Sequence, residues 1–236
     1  MTKRFWKAAA AEVAANGHAI SLDGRPVRTP GRLPLVVPSP RLAAAIVAEW
    51  NAVEGAVDPA AMRLTGLANA SIERVAPATS TFAAGIARYA ESDLLCYRAE
   101  APQPLAERQA AAWNSLLAWA EGRFGIEFAI TTGVMHVAQP PATVAVLSEE
   151  VAALDPFVLA PLSQVVTLTG TLIGGLALLE GAVDADALWT AAHIDEAWQA
   201  EQWGEDAEAA RALAARRADY DAAVSFLSLL ADSPQT

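Results

Sequence analysis

An α+β fold is the architecture this sequence predicts: a small β-containing N-terminal domain, then a larger, mainly α-helical domain arranged as an orthogonal bundle. Three observations predict it. The first 38 residues carry two hairpin dipeptides, Asn16-Gly17 and Asp23-Gly24, which supply the positive φ that tight turns need. From Ser39 onward, apolar residues recur at helical spacing between capping residues. With 236 residues, 54% hydrophobic and 18% charged, the chain is long enough to bury a core without covalent staples. The expected division is a β-rich domain with one helix over residues 1–75 and a helical domain over 76–236.

The elements follow in order. Residues 8–15 are alanine-rich and so have helical propensity, but the Asn16-Gly17 turn demands a partner strand, and they read as one. Ala19-Ile20-Ser21-Leu22 is the returning strand. Pro26-Val27-Arg28-Thr29-Pro30 lies beyond the second turn, and Leu35-Val36-Val37 is a third short strand closed by Pro38. Ser39 is an N-cap, Pro40 opens a helix and Gly55 stops it. A second helix is expected over 79–91, and the short apolar run 93–98 is expected as a strand. Pro104 opens a long helix carrying Leu105, Gln109, Trp113, Leu116 and Leu117. Residues 126–134, rich in β-branched side chains, read as a strand.

Residues 156–179 carry no charge. They read as two buried helices rather than a membrane span, because Pro161, Ser163, Gln164 and three glycines interrupt them and acids flank them. A helix is expected over 184–203, with Asp184 as N-cap and Gly204 as the terminal glycine. A last helix is expected over 205–230.

The net charge is −11, which argues against nonspecific nucleic-acid binding. It is unevenly spread: residues 124–210 contain 13 acids and no Lys or Arg. Such a one-signed stretch attracts a basic partner surface. The single cysteine, Cys96, excludes an internal disulfide and a cysteine metal site. The basic start, Lys3 to Lys7, is followed by alanines broken by Glu12, which makes a poor secretory signal.

Catalytic motifs are lacking. The sequence has no P-loop, no GxGxxG after a strand and no GxSxG elbow. His193 and Glu196 are one helical turn apart and are the nearest thing to an acid–base or half-metal pair. Lys3, Arg4, Phe5, Trp6 and Lys7 have the composition of an interfacial membrane anchor. A carboxylate-cleft enzyme and a peripheral membrane protein are therefore readings open at this level. Seven tryptophans are present. Two of them, Trp198 and Trp203, stand among Asp195, Glu196, Glu201, Glu205 and Asp206, and aromatics set beside charge are common at protein interfaces.

The order of several short motifs carries a resemblance. They are Arg4-Phe5-Trp6-Lys7; Leu22-Asp23-Gly24-Arg25-Pro26-Val27-Arg28-Thr29-Pro30; Glu49-Trp50; Met62-Arg63-Leu64-Thr65-Gly66-Leu67; Tyr89 with Ser92-Asp93-Leu94-Leu95-Cys96-Tyr97-Arg98; Gln109 and Trp113; and Glu196, Gln199 and Trp203-Gly204. Together they resemble the assembly chaperones of the F-type ATP synthase catalytic head, the family that binds the alpha subunit. The chain departs from that pattern at Trp113-Asn114-Ser115, where many relatives read Trp-Asp-Pro, and at Ser71-Ile72-Glu73, where many read Ala-Ile-Asp.

The resemblance implies a holder rather than an enzyme. It would bind the free alpha subunit, shield the surface later taken by the beta subunit, and need no cofactor or metal. It would neither insert stably in a membrane nor bind nucleic acid. It implies a cytoplasmic place in a bacterium and the mitochondrial matrix for eukaryotic relatives. Asp195, Glu196, Gln199, Trp198, Trp203 and Glu205 are the expected partner-binding residues, acids supplying charge and a tryptophan the anchor.

Overall fold

The computed structural model describes residues 3–133, 135–204 and 206–231. Val134, in an expected strand, and Glu205, in the expected site, lie outside the described residues. The chain is α+β, with its strands concentrated at the N-terminus and helices dominating thereafter. It divides into two compact units. The first takes residues 3–79, 155–161 and 221–231, and the second takes 80–154 and 162–220.

In the first unit, β1 (Ala9–Ala14) and β2 (Gly17–Leu22) form the expected antiparallel hairpin, Ala9 opposite Leu22 and Ala14 opposite Gly17. Gly17 sits at φ +134°, and a Cβ there would collide with the Val37 carbonyl. That close approach is what the glycine permits. β3 (Arg25–Pro26) and β4 (Val36–Val37) both pair antiparallel with β2.

α1 (Pro40–Ala52) packs across β1 and β2 through Leu42, Ala43 and Ile46, all fully buried. Ser39 caps it as expected: its Oγ accepts from the Arg41 and Leu42 N–H groups and donates to the Leu229 carbonyl at 2.6 Å. Near its end, Asn51 clamps the strand, accepting from Ala9 N–H at 2.8 Å and donating to the Ala9 carbonyl.

α2 (Arg63–Ala70) has no side-chain cap of its own. Glu49 of α1 supplies one, accepting from the Leu64 and Thr65 N–H groups at 2.8 Å each and from Thr65 Oγ1 at 2.7 Å. A carboxylate at a helix N-terminus satisfies orphan donors and meets the positive end of the dipole. The Glu49 and Leu64-Thr65 motifs are thus two halves of one joint. A π-helical turn (Ser71–Val75) continues α2, and its Glu73 carboxylate accepts from Gly31 N–H.

All of α3 (Thr79–Ala87) but its first residue lies in the second unit, and the helix tightens into a 3₁₀ turn over Arg88–Glu91. The strand expected over 93–98 is a correction: Leu94–Cys96 is a 3₁₀ turn, and only β5 (Tyr97–Arg98) is extended. The cause is Asp93, whose carboxylate accepts from Leu95 N–H at 3.0 Å and curls the chain locally. α4 (Gln103–Phe124) ends on Gly125 at φ +67°. The strand expected over 126–134 shrinks to β6 (Thr131–Thr132), paired parallel with β5. α5 (Pro141–Ala152) follows, an element the sequence reading did not name.

α6 (Pro156–Thr169) and α7 (Leu172–Leu179) are the two helices expected in the uncharged stretch, split at Gly170 with φ +70°. α8 (Ala185–Ala192), α9 (Ile194–Trp203) and α10 (Ala207–Leu230) complete the chain. The core of this unit gathers Leu95, Cys96, Trp113, Leu116, Leu117, Ala120, Ile173, Ala177 and Ala191. Among the described residues, no helix is long and apolar enough to cross a membrane.

Candidate functional site

The single helix expected over 184–203 is two, α8 and α9, with a break at His193 (φ −114°, ψ 23°). Two carbonyls of the last turn of α8 are taken by side chains. The Trp113 indole N–H donates to the Ala191 carbonyl at 2.7 Å. His193 Nδ1 lies 2.9 Å from the Trp189 carbonyl, and its ring stacks on Trp189 at 3.9 Å. Buried aromatics carrying polar handles have therefore displaced the helix's own ladder.

The break re-aims α9. Asp195, in its first turn, accepts from Gln109 Nε2 at 2.7 Å, while Gln109 Oε1 accepts from Ala99 N–H at 2.7 Å. Gln109 is 1% exposed, so its amide is a buried connector used at both ends. One turn on, Trp198 lies under the Arg108 guanidinium, 4.8 Å from the ring centroid. Arg108 also grips Glu201 with two contacts of 2.8 Å. That ion pair holds the Glu201 carboxyl below its ordinary pKa. Asp195, Trp198 and Glu201 thus form the face of α9 that is spent on α4.

The other face is open. Glu196, Gln199, Ala200 and Trp203 of α9 line a groove of about 310 Å³ with Asp206, Ala210, Leu213 and Arg216 on the α10 side. Glu196 and Gln199 are exposed. Trp203 is 79% exposed, directly before Gly204, which ends the helix at φ +87°. An indole this bare is a liability in a free protein and an asset at an interface. The expected site residues are therefore sorted into two sets. Asp195 and Trp198 position the helix, and Glu196, Gln199 and Trp203 face outward. Arg108 and Gln109, the partners that fix this division, lie on a separate helix. Only the Gln109 motif hinted at them.

The His193–Glu196 pair is not assembled. His193 is 6% exposed and turned to Trp189, whereas Glu196 lies in the open groove. Among the described residues no group of three His, Cys, Asp or Glu side chains converges on a metal position. Cys96 is buried in the core, and burial pushes its thiol pKa up to about 12, the state of an inert thiol. At the N-terminus, Arg4 donates to the Trp6, Lys7, Asn51 and Val53 carbonyls, and Trp6 is 4% exposed. Those two residues are built into the fold.

Comparison with known proteins places the chain among others of like sequence and fold. The family described as ATP12 chaperone protein matches residues 3–121. The crystal structure of Atp12 from Paracoccus denitrificans is similar with a TM-score of 0.93 and 44% identity, covering 97% of this chain and 98% of that one. A candidate chaperone from Agrobacterium tumefaciens is similar with a TM-score of 0.92 and 40% identity, covering 97% of this chain and 86% of that one.

Proposed function

Because the chain belongs to the ATP12 chaperone family, we propose that it acts in assembly of the F-type ATP synthase, holding the free alpha subunit until the beta subunit replaces it. A subunit awaiting its place in an obligate ring exposes a large apolar interface that aggregates unless covered. The observation that supports the reading most is Trp203, 79% exposed and lining with Glu196 a groove on the face of α9 turned away from the α4 contacts. Trp203 is the anchor, and Glu196 and Gln199 give orientation and charge complementarity. The acid-rich second half of the chain steers a basic client surface toward it. In a bacterium this work is cytoplasmic.

The test is co-elution with the alpha subunit, by size exclusion with light scattering, with and without the beta subunit. A one-to-one complex that beta dissociates is the expected result. An alpha subunit that aggregates equally with or without the chain overturns the reading.

A further inference from the structure

The first unit has a cleft of its own, about 500 Å³, which shares no residue with the α9–α10 groove. Its walls are Phe5, Trp6 and Trp50, the apolar stretch around Val27, and Val57 with Pro59. The aromatics form a ladder: Phe5 meets Trp6 edge-on at 5.3 Å, and Trp6 meets Trp50 at 5.2 Å. Trp6 is locked by burial and by its indole N–H donating to the Trp50 carbonyl at 3.3 Å. Phe5, at the lip, is 68% exposed. A rigid aromatic floor with a bare phenyl at its edge is the anatomy of a side-chain-accepting pocket.

The charge at this cleft runs against that of the whole molecule. In a chain of net charge −11, the charged residues among its described lining are Arg25 and Arg28, both exposed. No carboxylate is among that described lining, though Asp23, held below its usual pKa chiefly by backbone N–H donors, also feels the charge of Arg25. Asp23 accepts from the Lys7 and Ala8 N–H groups, and Asp58 accepts from Ala60 N–H. Arg28 gives one N–H to the Arg32 carbonyl at 2.8 Å and keeps its charge at the rim.

We infer that this cleft is a second docking surface, and that its occupant is an apolar peptide segment of a protein partner flanked by carboxylates. An apolar side chain fills the aromatic floor, and the carboxylates meet Arg25 and Arg28. Arginine is suited to this, since its guanidinium pairs with carboxylates in a two-point geometry. A concave cleft favours an inserted side chain over a flat lipid surface.

The test uses the ¹⁵N-labelled full chain and two peptides, acetyl-Asp-Leu-Phe-Glu-amide and acetyl-Lys-Leu-Phe-Lys-amide, each titrated to about 1 mM, where a weak single-segment contact is still visible. The acidic peptide is expected to shift the indole N–H signals of Trp6 and Trp50, and the basic peptide to leave them in place. The double charge reversal Arg25→Glu with Arg28→Glu is expected to invert the preference, about tenfold or more each way. Both arginines are solvent-exposed, and an unchanged thermal midpoint confirms that this variant folds. Equal response to both peptides, no response to either, or shifts confined to α9 overturns the inference. So does binding of phosphatidylserine vesicles without peptide binding, or concentration-dependent broadening of the same signals without peptide.

Discussion

The buried amide of Gln109 joins Asp195 to Ala99, donating to the Asp195 carboxylate at 2.7 Å while accepting from the Ala99 N–H at 2.7 Å. A residue that satisfies partners on both sides cannot be replaced by an apolar one without orphaning both. Gln109→Leu is therefore expected to lower the unfolding free energy by about 1–3 kcal/mol. Urea denaturation followed by tryptophan fluorescence measures it. A change under about 0.5 kcal/mol would mean that water takes over both bonds.

The two tryptophans of α9 are expected to separate stability from binding. Trp203→Ala removes a side chain that is 79% exposed, so stability should stay within about 0.5 kcal/mol. Affinity for the alpha subunit should fall tenfold or more, about 1.4 kcal/mol. Trp198→Ala removes the surface under Arg108 and should cost stability, about 1 kcal/mol. Titration calorimetry beside thermal melts of both variants decides. If Trp203→Ala binds as wild type does, Trp203 is not the anchor.

Glu196→Lys is expected to weaken the same complex with an unchanged melt, since Glu196 is exposed and lines the groove. Charge reversal at a rim acts mainly on the association rate. The loss should therefore be read by stopped-flow and should shrink with added salt. A salt-independent rate equal to wild type removes Glu196 from the site.

What the sequence made legible was local chemistry. The Ser39–Pro40 start, the Asn16-Gly17 hairpin, the Asp184 cap and the Gly204 stop all appear where short-range rules put them. The elements that differed were decided by long-range partners. No glycine or proline marks the break at His193, because the cause is Trp113, far away in the chain, taking the Ala191 carbonyl. Residues 93–98 have strand-like side chains, yet Asp93 offers the backbone a local acceptor first. At the candidate site, residue type and acidity pointed to α9 as a whole. Which face was free depended on Arg108 and Gln109, and helical spacing within α9 alone does not reveal that.

Glu49 makes three contacts at the start of α2, whose N-cap residue, Met62, supplies no side-chain bond. Glu49→Ala should destabilise the first unit by about 1–2 kcal/mol. It should raise amide hydrogen exchange at Leu64 and Thr65 before exchange rises elsewhere. Uniform exchange across α1 and α2 would show the effect to be global rather than a lost cap.

Asp93 contributes a pH dependence opposite in sign to that of the lowered carboxyls Asp23 and Glu201. Its carboxyl is 1% exposed, and burial pushes its pKa up from 3.8 to about 6, while hydrogen bonds from Ile173 and Leu95 N–H and from the Thr171 side chain hold it down. The raised value means that, between those two pH values, the folded state holds a proton that the unfolded state has released. The group's favourable contribution is thus complete below about pH 3.8 and is lost as the pH rises through about 6. Its full size is about 3 kcal/mol. Asp93→Asn removes the titration. It also sets an amide N–H₂ against a backbone donor, which lowers stability by an amount that does not vary with pH. Plotted against pH, the stability of wild type minus that of the variant should therefore fall between pH 4 and 6 and level off above. Urea titrations at half-unit pH steps read this difference directly. A flat difference across the window would place the Asp93 pKa at its ordinary value, with the hydrogen bonds fully offsetting the burial.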